Sequence, residues 1–210
     1  MKKIMFNDRF GLTEAVLEGK KTVTRRIVCK PNYDEVFDDS VDRFNKGWID
    51  YIELIDGRQA YTYKAPYKVG EVVAVAQNYR EVLGHLKTTY GSSSSITRAF
   101  YRDYVLAGRI PGANKMFVRA ELMPHQIRIL SVTAEQLQDI ADKDCMNEWI
   151  RVEYAPDGTA GYFIFDNKRM REKWFDSPRD AYATLIDKIH GKETWYANPW
   201  AWRIEFELVK

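Results

Sequence analysis

The run Gly19-Lys20-Lys21-Thr22-Val23-Thr24-Arg25-Arg26 constrains this chain more than any other stretch. Before it, Thr13 to Glu18 has helical composition, with Thr13 the expected N-cap and Gly19 at the left-handed position just past the helix end. After it, Val23 to Val28 is rich in β-branched residues and is expected to be a strand. The chain must therefore turn from helix to strand while carrying lysines, threonines and arginines through the corner. Such a turn is where backbone geometry aims side chains at a ligand. Spacing alone leaves a solvated basic edge strand as an equally good description.

A chain of 210 residues fits one large or two small domains and can bury a sizeable core. Hydrophobic content of 45% and aromatic content of 14% exclude disorder as the dominant state. A net charge of +2 gives no global pull on a polyanion, so attraction for nucleic acid has to come from local clusters. Lys20, Lys21, Arg25, Arg26 and Lys30 form one cluster, and Lys168, Arg169, Arg171 and Lys173 a second; each is more simply a hydrated face than a phosphate track. Cys29 and Cys145 lie far apart with no disulfide framework and no signal peptide, so two free thiols in a reducing cytoplasm are expected. No apolar run approaches membrane-spanning length, and no membrane association is expected. His85, His125 and His190 show no ligand spacing, so no metal and no cofactor are expected.

In chain order, Ile4 to Phe6 reads as a short initial strand that enters the first helix through Gly11. Pro31 to Asp56 is acidic and without period, an inserted excursion. Arg58 to Lys64 is compatible with a strand, Pro66 to Gly70 with a turn, and Glu71 to Gln77 with a strand covered on both faces. Tyr79 to Ile110 carries a Gly91-Ser95 tip flanked by Tyr90, Phe100, Tyr101 and Tyr104 with Arg98 and Arg102. These could stack on bases, but packing of a small helix is the better reading. Lys115 to Ala120 and Gln126 to Val132 read as strands. Thr133-Ala134-Glu135-Gln136 has a capping-box pattern opening a short helix through Leu137 and Ile140. Asp142 is the expected cap of another helix bearing Glu148 near its C-terminal end, where the dipole disfavours a carboxylate. Asp157-Gly158 suggests a hairpin between Arg151-Tyr154 and Tyr162-Phe165. Ser177-Pro178-Arg179-Asp180 starts a helix that Gly191 ends. A last strand passes through Ile204, Phe206 and Leu208; Trp200 and Trp202 share its parity and are more simply core than a stacking wall. Met123-Pro124-His125 reads as a surface turn.

Gly19-x-Lys21-x-x-Thr24-x-Arg26 resembles the Gly-x-Lys-x-x-Glu-x-Arg signature of the ASCH domain, a relative of the PUA RNA-binding fold. Thr24 replaces the usual Glu. A subgroup of small bacterial amidohydrolases acting on N4-acetylcytidine has Gly-Arg-Lys-Thr-Ile-Thr-Ile-Arg at this point and is similar to the present sequence there. The resemblance extends to Lys68-Val69-Gly70-Glu71-Val72-Val73 and the closing aromatic strand, about half of the chain. It implies an α+β fold: a PUA-like mixed, largely antiparallel β-barrel with flanking helices. The whole of 1–210 would form one domain, with insertions at about 29–60, 80–114 and 151–198. It also implies a cleft for RNA or a modified nucleoside, with Lys21 as general base, Thr24 as nucleophile and Glu148 as proton donor. Gly19, Arg25 and Arg26 would be substrate-binding.

Amide hydrolysis needs a nucleophile, a group to take its proton and an acid for the departing nitrogen. Lys21 can be a base only if largely neutral, which burial and the adjacent cations Lys20, Arg25 and Arg26 favour. In a regular strand Lys21 and Thr24 would point to opposite faces, so Lys21 has to lie in the turn ahead of the strand. Arg26 shares the face of Thr24 and is the expected anchor for an anionic or carbonyl group. Two other readings stay open: a non-catalytic RNA- or nucleotide-binding module using the same cleft, and a protein-interaction domain.

Overall fold

A computed structural model describes residues 1–28, 51–56, 59–107, 114–167 and 171–209, with the backbone alone at 51–63 and 171–172. Cys29, Lys30, most of the acidic excursion, Arg58, Lys168 and Arg169 lie outside the described residues. In chain order the elements are β1 (Lys3–Ile4), α1 (Leu12–Leu17), β2 (Val23–Ile27), β3 (Tyr51–Asp56), β4 (Gln59–Lys64), β5 (Val72–Val75), α2 (Tyr79–Tyr90), α3 (Ser95–Phe100), β6 (Gln126–Gln136), α4 (Asp142–Asn147), β7 (Arg151–Tyr154), β8 (Ala160–Asp166), β9 (Arg171–Phe175), α5 (Pro178–His190) and β10 (Trp200–Leu208). The chain divides into two compact units interleaved in sequence. One comprises Met1–Phe6, Val72–Ile127 and Leu208–Lys210; the other comprises Asn7–Glu71 and Arg128–Glu207.

In the first unit β1 runs parallel to β5, with Lys3 opposite Ala74 and Ile4 opposite Val75. Val73, Ala74 and Val75 are all fully buried, as a continuous apolar run predicts. Asn78 and Glu81 form a capping box at the start of α2, and the Ser94 hydroxyl caps α3. Val82, Leu83 and Phe100 then pack with Ala74, Ala76, Val118 and Met123. Tyr79 and Tyr104 stack at 5.2 Å, and Phe100 lies 4.7 Å from Tyr104, so these rings serve packing. A strand expected at Lys115–Ala120 is absent: short 3-10 turns at Lys115–Phe117 and Ala120–Leu122 replace it. The Lys3 ammonium gathers the carbonyls of Lys115, Met116 and Val118, a convergence that alternating strand carbonyls cannot provide. His125 places Nδ1 2.9 Å from Gln77 Oε1, with His85 edge-on at 5.1 Å.

In the second unit β10 lies between β6 and β2. Its antiparallel register with β2 sets Ile204 opposite Thr24, Arg203 opposite Arg25 and Trp202 opposite Arg26. β3 and β4 form an antiparallel pair, and β7, β8 and β9 an antiparallel sheet. The Asp157-Gly158 turn forms as expected, with Gly158 at φ 87°. Ser177 accepts from the Asp180 N–H at 3.1 Å to start α5, whose Ala181, Tyr182, Leu185 and Ile186 are buried. Trp202 is buried and belongs to the core.

Several local expectations are corrected. α1 is preceded by Gly11 rather than capped by Thr13, whose hydroxyl donates to Asp8 Oδ1 at 2.6 Å. Ala141, not Asp142, is the N-cap of α4. Thr133 to Gln136 continue β6 instead of opening a helix, because Leu137 N–H donates to Pro199 O at 3.0 Å and Gln138 N–H to Asn198 Oδ1 at 2.7 Å. The fold is mixed α+β and mostly antiparallel. Among the described residues its strands run in open order, with β3–β4 and β7–β9 in separate sheets, and do not close into the expected barrel.

Candidate functional site

Two helix ends in the second unit build the site, and they end alike. At α1, Gly19 N–H donates to Val16 O at 3.0 Å and Lys20 N–H to Ala15 O at 2.8 Å, with Gly19 at φ 69°. At α4, Trp149 N–H donates to Met146 O at 2.9 Å and Ile150 N–H to Cys145 O at 3.0 Å, with Trp149 at φ 86°. Both are Schellman motifs, one closed by glycine and the other by a bulky aromatic residue in a conformation that opposes it. Thr22 N–H donates to Asn147 O at 3.2 Å and ties the two ends together. Lys21 N–H still bonds Ala15 O at 3.0 Å, so Lys21 belongs to the turn and strand geometry begins only at Val23.

Lys21 Nζ donates to Glu148 Oε2 at 2.5 Å and to Glu148 O at 3.1 Å. The lysine side chain is 0% exposed and that of Glu148 6%. Glu148 Oε1 accepts from Arg25 Nη1 at 3.3 Å and from the Tyr182 hydroxyl at 3.4 Å. A carboxylate at a helix C-terminus opposes the dipole, and these donors offset that cost. Arg25 also donates through Nε to Glu135 at 2.6 Å and through Nη2 to Asp144 at 3.0 Å. Opposite Arg25, Arg203 donates through Nε to Asp144 Oδ2 at 2.7 Å. Like charges facing across an antiparallel pair repel; the shared Asp144 carboxylate turns that repulsion into a bridge.

Burial is the largest influence on Lys21 and lowers its pKa. Glu148 opposes this, while Arg26 and Arg25 add to it. Burial likewise lowers Arg26, against the pull of Tyr67 and Glu148. Burial works against the Arg25 charge too, but Tyr182, Glu148, Glu135 and Asp144 more than offset it, so its pKa is raised. Burial would raise Asp144, yet its bonds to Arg203 and Arg25 hold it down at about 2. Burial pushes the Cys145 thiol up to about 12 and lifts Tyr182 well above the ordinary phenol value. His190 is lowered by burial and then by Arg26, with Glu148 opposing.

Of the residues expected from sequence, Lys21, Arg25 and Glu148 meet in one buried cluster. Arg26 falls on the alternate face of β2 but acts electrostatically on Lys21. Thr24, also buried, shares that alternate face, and among the described residues its hydroxyl makes no hydrogen bond to Lys21 or Glu148. Gly19 contributes through its backbone conformation; a Cβ there would meet nothing within 4 Å. Asp144, Glu135, Arg203 and Tyr182 were not anticipated. Asp144 precedes Glu148 by one helical turn, a spacing that sets both carboxylates on the helix face that meets Arg25. Among the described residues no group of side chains could hold a metal ion, and no helix is long and apolar enough to cross a membrane. Comparison with known families, characterised proteins and solved structures returns no match for this chain.

Proposed function

We propose that this chain is an ASCH-type, PUA-like protein that takes a modified nucleoside, free or within RNA, and hydrolyses the amide of an N4-acylated cytidine. The observation that carries the reading is the 2.5 Å contact between Lys21 and Glu148, residues 127 apart in sequence. The motif resemblance names these same two residues as base and acid.

A Lys21–Glu148 pair sharing one proton can supply both functions. In the substrate complex, passage of that proton from Lys21 to Glu148 leaves Lys21 a neutral amine, the form favoured by its burial. Thr24 Oγ1 attacks the acyl carbon and its proton passes to Lys21 Nζ. The tetrahedral adduct collapses, the bond from acyl carbon to N4 breaks, and Glu148 protonates the departing nitrogen. An ammonium–carboxylate pair remains. Water then attacks the acyl-threonine, giving a proton to Glu148 while Lys21 returns one to Thr24, so the starting state is restored. The products are cytidine and the carboxylic acid. Thr24 has to reach Lys21 in the substrate complex, a tightening common when the ligand arrives.

A second reading, binding without catalysis, is favoured by the lack of a hydrogen bond from Thr24 to Lys21. Incubation of the protein with N4-acetylcytidine separates the two. Release of cytidine and acetate that Thr24→Ala abolishes, with thermal stability retained, supports hydrolysis. Binding without release in the wild type favours the module, and turnover undiminished in Thr24→Ala overturns the assigned nucleophile.

A further inference from the structure

The consecutive residues Glu148 and Trp149 lead in different directions. Glu148 is turned onto Lys21, whereas Trp149, held at φ 86°, lines a separate cleft of about 440 Å³ in the same unit. Lys20, Arg151, Glu153 and Phe163 share its lining. The Arg151 guanidinium lies 5.0 Å from the Trp149 ring, 5.7 Å from Phe163 and 5.8 Å from Phe165. Lys20 covers Trp149 at 5.6 Å. Arg151 is only half-buried, and among the described residues it has no ion pair and no side-chain hydrogen bond. Its rings fix it in place without using its donors. Lys20 does have a carboxylate, Glu18 at 2.7 Å, but both groups are exposed and solvent-screened. Glu153 is exposed as well and is the opposing charge on the rim.

A planar cation fixed by aromatic rings, with its N–H fork unused, matches a phosphate beside a stacking base. The left-handed backbone of Trp149 closes the Schellman motif at the end of α4, and its side chain lines the cleft. We propose that this cleft binds the phosphate and base of the nucleotide flanking the one held at Lys21 and Glu148, so that single-stranded RNA is the preferred ligand over a free nucleoside. The inference rests on the nucleoside reading of that centre but concerns different side chains. Lys20 adjoins Lys21 and Trp149 adjoins Glu148, so cleft and centre are one residue apart along the chain at both helix ends.

The test compares a fluorescent single-stranded RNA pentamer with free N4-acetylcytidine, using wild type and Arg151→Gln, each checked for unchanged melting temperature. Arg151→Gln should weaken pentamer binding about tenfold, the loss of one charged hydrogen-bonding contact, and leave nucleoside binding and turnover at the wild-type level. Trp149→Leu should also weaken the pentamer, by removing the stacking face. Pentamer affinity unchanged in Arg151→Gln, or no tighter in wild type than the nucleoside, overturns the cleft. Equal weakening of pentamer and nucleoside overturns it too. Arg151-dependent pentamer binding without nucleoside turnover supports the cleft while defeating the hydrolytic reading.

Discussion

Glu148 sits where its own helix repels it, and two cations and a phenol hold it there. Removing one partner of such a buried pair strands the other charge, whereas replacing both with apolar groups is often neutral or better. Glu148→Gln is therefore expected to lower stability by about 3 kcal/mol, and Lys21→Met combined with Glu148→Leu to recover most of that. Urea unfolding of the three proteins checks it; a double variant no more stable than the single one would make the pair a structural requirement. Asp144 gives a pH signature. Its folded carboxyl titrates at about 2 against an ordinary 3.8. The stabilisation is full above the ordinary value and disappears as pH falls through the folded one. Between about pH 4 and 2 the fold should lose about 2 kcal/mol, a slope that Asp144→Asn flattens in urea titrations at successive pH values.

Elements deliver these side chains through their ends. Gly19 at φ 69° closes α1 and releases Lys21 toward Glu148 before β2 begins. Gly19→Ala meets no atom within 4 Å, so its cost is conformational: about 1 kcal/mol, read as a lower melting temperature, with binding at the Lys21 centre weakened alongside. A stability loss with binding untouched would detach the turn from the site. The corner was legible in the sequence because glycine at a helix end has one common use. The matching end of α4 was not, since nothing local says that Trp149 adopts the glycine conformation. Thr133 to Gln136 misled for a related reason. Its letters suit a helix cap, but the backbone partners that decide its fate come from Pro199 and Asn198 on the approach to β10. The carboxylates around Arg25 come from β6 and α4, and Tyr182 comes from α5, so only the fold could assemble them.

At the scale of the molecule, a net charge of +2 over 210 residues leaves little long-range field, and much of the cationic charge near the centre is already matched. Arg25 faces Glu135, Asp144 and Glu148, and Arg203 faces Asp144 and Glu205, so these guanidinium groups have few donors left for phosphate. At the proposed cleft, Arg151 and Lys20 are the cations that would meet phosphate, together with stacking on Trp149. Each phosphate neutralised on a single strand contributes about 0.7 to the slope of log affinity against log salt, so Arg151 and Lys20 on the two phosphates that bracket the flanking nucleotide give a slope of about −1.4. Pentamer titrations from low to moderate salt should return that shallow value in the wild type, and about half of it in Arg151→Gln. A steep slope would mean that a broad basic surface, not a two-cation cleft, does the binding. The shallow one follows if Arg151 and Lys20 alone meet phosphate, because Lys21 and Arg25 are turned inward onto Glu148.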